Sequence, residues 1–189
     1  MEVTSKSWER FQNQYRIFCS MPESVKQSVF RFFYDSEIRR QYPNFLTDIS
    51  CYLKSCKSQI EMTLAIAYVL VITKDMYSNE NPYEYWQYSL EPQAEIEAGG
   101  KTYYADFFYD ANIEILPGSP FKLVIECDGH DYHHASKEQV QKDYERETNL
   151  KMAGYDVLRF TGSQIYKDPI GCAKTIFDYI KKKVGEEDG

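Results

Sequence analysis

The chain has 189 residues, enough for one domain with a modest appendage, and 43% of them are hydrophobic, which supplies a core. Aromatic residues reach 16%, with 17 Tyr and 11 Phe, a composition that excludes an intrinsically disordered chain. The formal net charge of −7 excludes a general polyanion-coating protein but leaves room for one that gathers acids to hold a cation.

Residues 1–56 read as a helical extension. Trp8, Phe11, Tyr15, Ile17 and Phe18 recur near helical spacing. Pro22, Glu23 and Ser24 suggest a fresh start, and Val25, Val29, Phe30, Phe32 and Phe33 give the next apolar face. Pro43 ends that helix, because the residue before a proline avoids the α region. A short third helix is expected from Phe45 to Leu53. No catalytic constellation lies in this stretch, which suits a helical cap, a homodimerisation arm or a seat for a protein partner. The opening residues MEVTSKSWERFQNQ lack the apolar stretch of an export signal. The longest apolar run, Leu64 to Ile72, is too short to cross a bilayer, which takes roughly 18 to 20 residues. Five cysteines (Cys19, Cys51, Cys56, Cys127, Cys172) are odd in number and show no C-x-x-C spacing. A cytoplasmic protein without membrane contact is the expectation.

Residues 57–189 read as the core. Ser58 to Glu61 is an S-x-x-E capping box opening a helix whose LAIAYVLVI run is apolar all round, so it is buried on most sides. A break follows over Asn79 to Pro82. Period-2 alternation over Gln93 to Ala98 and Thr102 to Tyr109, around Gly99-Gly100, predicts a β-hairpin. A turn cluster from Leu116 to Pro120 precedes a third, central strand, Phe121 to Cys127. A second capping box at Ser136 to Gln139 opens a helix ending at Gly154. Tyr155 to Phe160 predicts a fourth strand and Pro169 to Lys183 a last helix. The order α-β-β-β-α-β-α defines an α/β protein.

Three strand acids stand out in this frame. Asp106 sits inside the second strand, and Glu126 and Asp128 close the third. An acid in an apolar strand is costly unless paired or bound to a cation. Glu126 and Asp128, two apart, share a face, and Cys127 points the other way. If the second and third strands pair, Asp106 lies beside Glu126. Hard oxygen donors of this kind suit Mg²⁺ or Mn²⁺. The plain alternative is that the acids pair with Arg146 and Arg159. All three histidines, His130, His133 and His134, fall within five residues of loop, where one could take a proton from water. They could equally be exposed loop residues, or zinc ligands with Asp128 or Asp131. Lys142, Arg146 and Asn149 share one helical face.

Together these residues resemble the PD-(D/E)XK, restriction-endonuclease-like superfamily, and within it small domains related to very-short-patch repair endonucleases. The matching pieces are S-x-I-E at Ser58–Glu61, Gln93, ADF around Asp106, IECDGH at Ile125–His130, D-x-x-R at Asp143–Arg146, Leu150, Gly154-Tyr155 and VLRF at Val157–Phe160. The resemblance implies a restriction-endonuclease-like core with a central mixed sheet flanked by helices. It implies a Mg²⁺- or Mn²⁺-dependent endonuclease that hydrolyses DNA phosphodiesters, in repair or in defence against foreign DNA. Asp106 and Glu126 match the family's metal-binding acids, and Cys127 would give its backbone carbonyl to the metal. Asp128 stands where most of the superfamily has lysine. His133 matches the catalytic histidine of the short-patch enzymes and, with Asp128 as a second catalytic acid, would position or deprotonate the water, with His130, His134, Lys137 and Lys142 as rivals. Glu61 matches an acid that reaches the metal site in some relatives. The departure at Asp128, with the acidic net charge, keeps open a catalytically inactive module that binds nucleic acid or protein.

Overall fold

The computed structural model describes residues 23, 26–27, 55–78, 88–111, 121–129 and 137–184. The helical extension over residues 1–56, the break at 79–82 and the turn at 116–120 fall wholly or almost wholly outside the described residues. The core runs α1 (Gln59–Ser78), β1 (Glu91–Ala98), β2 (Lys101–Asp110), β3 (Lys122–Asp128), α2 (Lys137–Met152), β4 (Tyr155–Thr161), α3 (Gly162–Lys167) and α4 (Pro169–Val184).

The four strands form one sheet in the order β1-β2-β3-β4. The first two pairings are antiparallel and β3 runs parallel to β4, so the sheet is mixed. Helices cover both faces. On one, Leu64, Tyr68 and Ile72 of α1 and Ile176 and Ile180 of α4 meet Phe107, Tyr109, Leu123 and Ile125. On the other, Leu150 of α2 packs on Ile96, Ala98, Ala105 and Val124. Leu123, Val124 and Ile125 are all fully buried, which is why β3 reads as an unbroken apolar run. The strand ends where burial stops being apolar, at Glu126 and Asp128.

Local signals set most boundaries. Gly99 and Gly100 take φ of +57° and +71°, the left-handed pair that a two-residue hairpin turn requires. Gly154, at φ +85°, donates its N–H to the Lys151 carbonyl and closes α2. At α1 the Ser58 hydroxyl accepts the Glu61 N–H at 3.2 Å, as the capping box predicts. The reciprocal half differs, since the Glu61 carboxylate takes the Lys57 N–H at 2.8 Å. The Ser136 box lies outside the described residues. Helix α3 was not expected. Thr161 and Gln164 cap it reciprocally, and its six residues are too few to show helical periodicity.

One irregularity positions the site. Tyr103 and Ala105 group with the α2-side core, whereas Phe107 and Tyr109 group with the α1/α4-side core. Residues two apart on an undisturbed strand share a face, so the alternation of β2 slips at Asp106. Gln93 carries a left-handed φ of +57°, and the Gln93↔Asp106 position is missing from an otherwise continuous register. Pairing of β2 with β3 also stops at Phe107↔Ile125, one step before Asp106 would meet Glu126. Asp106 therefore stands at a bulge-like seam where β2 parts from both neighbours.

Candidate active site

Asp106 does not simply point to one face. Its Oδ2 accepts the Cys127 N–H at 2.7 Å, so the carboxylate bridges β2 and β3 in place of a ladder bond. Its Oδ1 lies 3.5 Å from Gln93 Nε2, and that same nitrogen donates to Glu61 Oε2 at 2.9 Å. Gln93 thus ties the strand acid to the helix acid, and its left-handed backbone turns its side chain to do so. Glu61 is buried at 5% exposure and Glu126 at 6%.

The arginines come from the elements beyond. Arg146 on α2 donates from Nη2 to Glu126 Oε1 at 2.6 Å and to the Tyr104 carbonyl at 2.6 Å. Arg159 on β4 holds Asp128 in a fork, with bonds of 2.9 and 3.2 Å. The ion-pair alternative drawn from the sequence therefore applies to Glu126 and Asp128. It does not apply to Asp106, which forms no ion pair among the described residues.

The electrostatics follow from this packing. Burial pushes the Glu126 carboxyl up to about 7, with Asp106 and Asp128 adding repulsion and Arg146 and Arg159 opposing it. Burial also raises Asp106, against the pull of the Cys127 N–H and of Arg146. Cys127 packs against the α1/α4-side core, opposite Glu126, as expected. Its thiol is pushed up by burial and then by Asp106, Glu61 and Glu126, and that of Cys56 up to about 12. Burial and the surrounding acids thus favour the protonated form of both thiols.

The structure brings Asp106, Glu126, Asp128 and the Cys127 backbone to one end of β3, with Glu61 next to Asp106. Lys137 and Lys142 lie exposed on α2. His130, His133 and His134, with Asp131, lie outside the described residues. Among the described residues, no three His, Cys, Asp or Glu side chains close into a metal cage. That arrangement still suits Mg²⁺, which is commonly held by one or two carboxylates completed by waters and substrate phosphate. Hard carboxylate oxygens are the donors such an ion takes. Gln93 emerges here as a site residue that strand patterning alone did not assign a role. Its one signal in the sequence is its place among the pieces that match the family pattern.

Residues 84–180, just over half of the chain, match a restriction-endonuclease-like family, REase_MTES_1575. No curated protein and no solved structure matches.

Proposed function

The chain belongs to this restriction-endonuclease-like family, and on that premise we propose that it is a metal-dependent endonuclease hydrolysing phosphodiester bonds in DNA. The observation that carries the reading is Asp106, an acid raised by burial, lacking a described cationic partner and set at a break between strands beside Glu126. Its bonds to the Cys127 N–H and the Gln93 amide offset only part of the cost of burying it, and a cation would offset the rest.

Asp106, Glu126 and the Cys127 carbonyl would hold Mg²⁺ or Mn²⁺. Bound there, the ion supplies phosphate charge neutralisation and a more acidic water. In a strand a residue's N–H and C=O face the same neighbour, so the Cys127 carbonyl leaves β3 on the side of Asp106. Gln93 keeps Asp106 and Glu61 aligned by sharing one amide between them. Asp128, taken in a fork by Arg159, fixes β4 beside the site and has less freedom to meet water. The proton of the attacking water would pass to an imidazole nitrogen, that of His133 by the family pattern. Among the described residues no helix is long and apolar enough to cross a membrane. A cytoplasmic setting with DNA as partner fits this reading.

The Glu126–Arg146 and Asp128–Arg159 pairs favour a second reading, a nuclease fold that binds nucleic acid or protein without cleaving it. Incubating circular and linear DNA with the protein in Mg²⁺, Mn²⁺ or EDTA separates the two. The nuclease reading expects cleavage in divalent ion only, and its loss by orders of magnitude in Asp106→Ala. No cleavage of DNA or RNA in any divalent ion would leave the binding module standing.

A further inference from the structure

Arg146 occupies an unusual position. A single nitrogen, Nη2, makes both of its hydrogen bonds, to Glu126 and to the Tyr104 carbonyl. Its Nε is buried and has no hydrogen-bond partner among the described residues. The guanidinium carbon lies 5.6 Å from the Tyr103 ring centroid, while the side chain remains 27% exposed. A guanidinium carries five donors in a rigid fork matched to carboxylate or phosphate, and a buried donor without an acceptor is a standing cost. The present pose therefore leaves most of the fork unused on a side chain that is still partly exposed.

We infer that Arg146 is a two-position residue, standing in for the divalent ion on Glu126 in the resting protein and turning its fork to a backbone phosphate when nucleic acid binds. The inference rests on the nuclease reading of the same site and adds the order of events. While Arg146 holds Glu126 Oε1, it competes with any cation for that oxygen. A phosphate diester gives the fork two oxygens and satisfies Nε, so the turn leaves Glu126 unpaired and ready for a cation. Binding of nucleic acid and of divalent ion is then mutually strengthening, as linkage requires. The site stays poor in metal until the substrate is in place.

Arg146→Met tests this, because methionine keeps the apolar stem over Tyr103 and drops the charge. Two measurements avoid turnover. Mn²⁺ affinity is measured by titration calorimetry without DNA. DNA affinity is measured in EDTA across a salt series. The expected result is Mn²⁺ binding tighter by about 5-fold or more in Arg146→Met, the lower end of ordinary coupling. DNA binding weakens, and its log–log salt slope falls by about 0.9, one phosphate contact. Arg146→Lys, which keeps the charge, should stay near wild type in Mn²⁺ affinity and reports on the exchange if the methionine variant fails to fold. Equal or weaker Mn²⁺ binding in Arg146→Met, with wild type binding Mn²⁺ through Asp106, would overturn the exchange and leave the nuclease reading intact. An unchanged salt slope would overturn the phosphate half of it. No Mn²⁺ binding by any of the proteins would overturn both the exchange and the metal-dependent reading.

Discussion

Burial pushes the Glu126 carboxyl up to about 7 although Arg146 lies against it, and that has a consequence for stability. An unfolded glutamate ionises near 4.5, so between the two values the native protein holds more protons than the unfolded chain. The contribution of Glu126 to stability is therefore full below about 4.5 and is lost as pH rises toward 7, at up to about 1.4 kcal/mol per unit. Raised Asp106 acts in the same direction. Glu126→Gln should remove one proton's share of that slope, measured as denaturant midpoints over a pH series. An unchanged slope would show that Glu126 ionises normally. The neighbouring residue gives a second expectation at this scale. Cys127 turns into the core with a thiol held protonated, so Cys127→Ala should keep any activity and lose about 1 kcal/mol for a small cavity. Loss of cleavage in an equally stable Cys127→Ala would show that the sulfur itself is needed.

The hairpin turn between β1 and β2 shows how an element is held, not merely formed. Gly99 and Gly100 both have positive φ, but only Gly99 meets another element: a Cβ there would come within 2.6 Å of the Asn149 side chain. Asn149 itself donates to the Tyr103 hydroxyl at 2.8 Å, so the turn docks on α2 through this amide. Gly100→Ala should cost about 1 to 2 kcal/mol, the penalty of a left-handed alanine. Gly99→Ala should cost more, because Asn149 must also move, and equal losses in thermal unfolding would mean that the docking contributes nothing. Elements of this kind were legible in the sequence. Alternation around Gly99-Gly100, the apolar run of β3 and the glycine after α2 each encode a local rule that tertiary packing did not override. What was not legible arises between strands. The slip of β2 at Asp106 leaves no mark in YYADFFYD, because both phases of that segment bury an aromatic or an alanine. The left-handed Gln93 is equally silent, since nothing but its partner acids explains it. Helix α3 escaped because one turn and a half carries no period. Strand parity groups the candidate acids, and Arg146 and Arg159 stand in the sequence only as available partners, whereas which acid each arginine takes needed three-dimensional neighbours. The assignment of His133 rests on the family pattern alone.

At the scale of the whole molecule, the acids sit where every layer of the core meets. Glu61 comes from α1 on one face and Arg146 from α2 on the other, and Asp106 and Glu126 lie on the two central strands between them. An ion bridging Asp106 and Glu126 would tie β2 to β3 at the point where their pairing stops, after Phe107↔Ile125. Local binding should then be read out as global stability, because opening that seam loosens both helix layers. A ligand that binds only the native state adds RT ln(1 + [L]/Kd), about 2.7 kcal/mol at a hundredfold excess over Kd. Mn²⁺ should accordingly raise the melting temperature near pH 8, where Glu126 is ionised and can serve as a ligand. Near pH 5.5 the proton on Glu126 competes with the ion, given its pKa of about 7, so the gain should shrink. Asp106→Ala should show little gain at either pH, measured against its own melting temperature in EDTA, where the lost bond to the Cys127 N–H and the relieved repulsion act in opposite directions. A gain that is the same at both pH values would place the ion away from Glu126. A gain that survives in Asp106→Ala would place it away from Asp106, and the seam would then be a structural joint between strands held by its arginines.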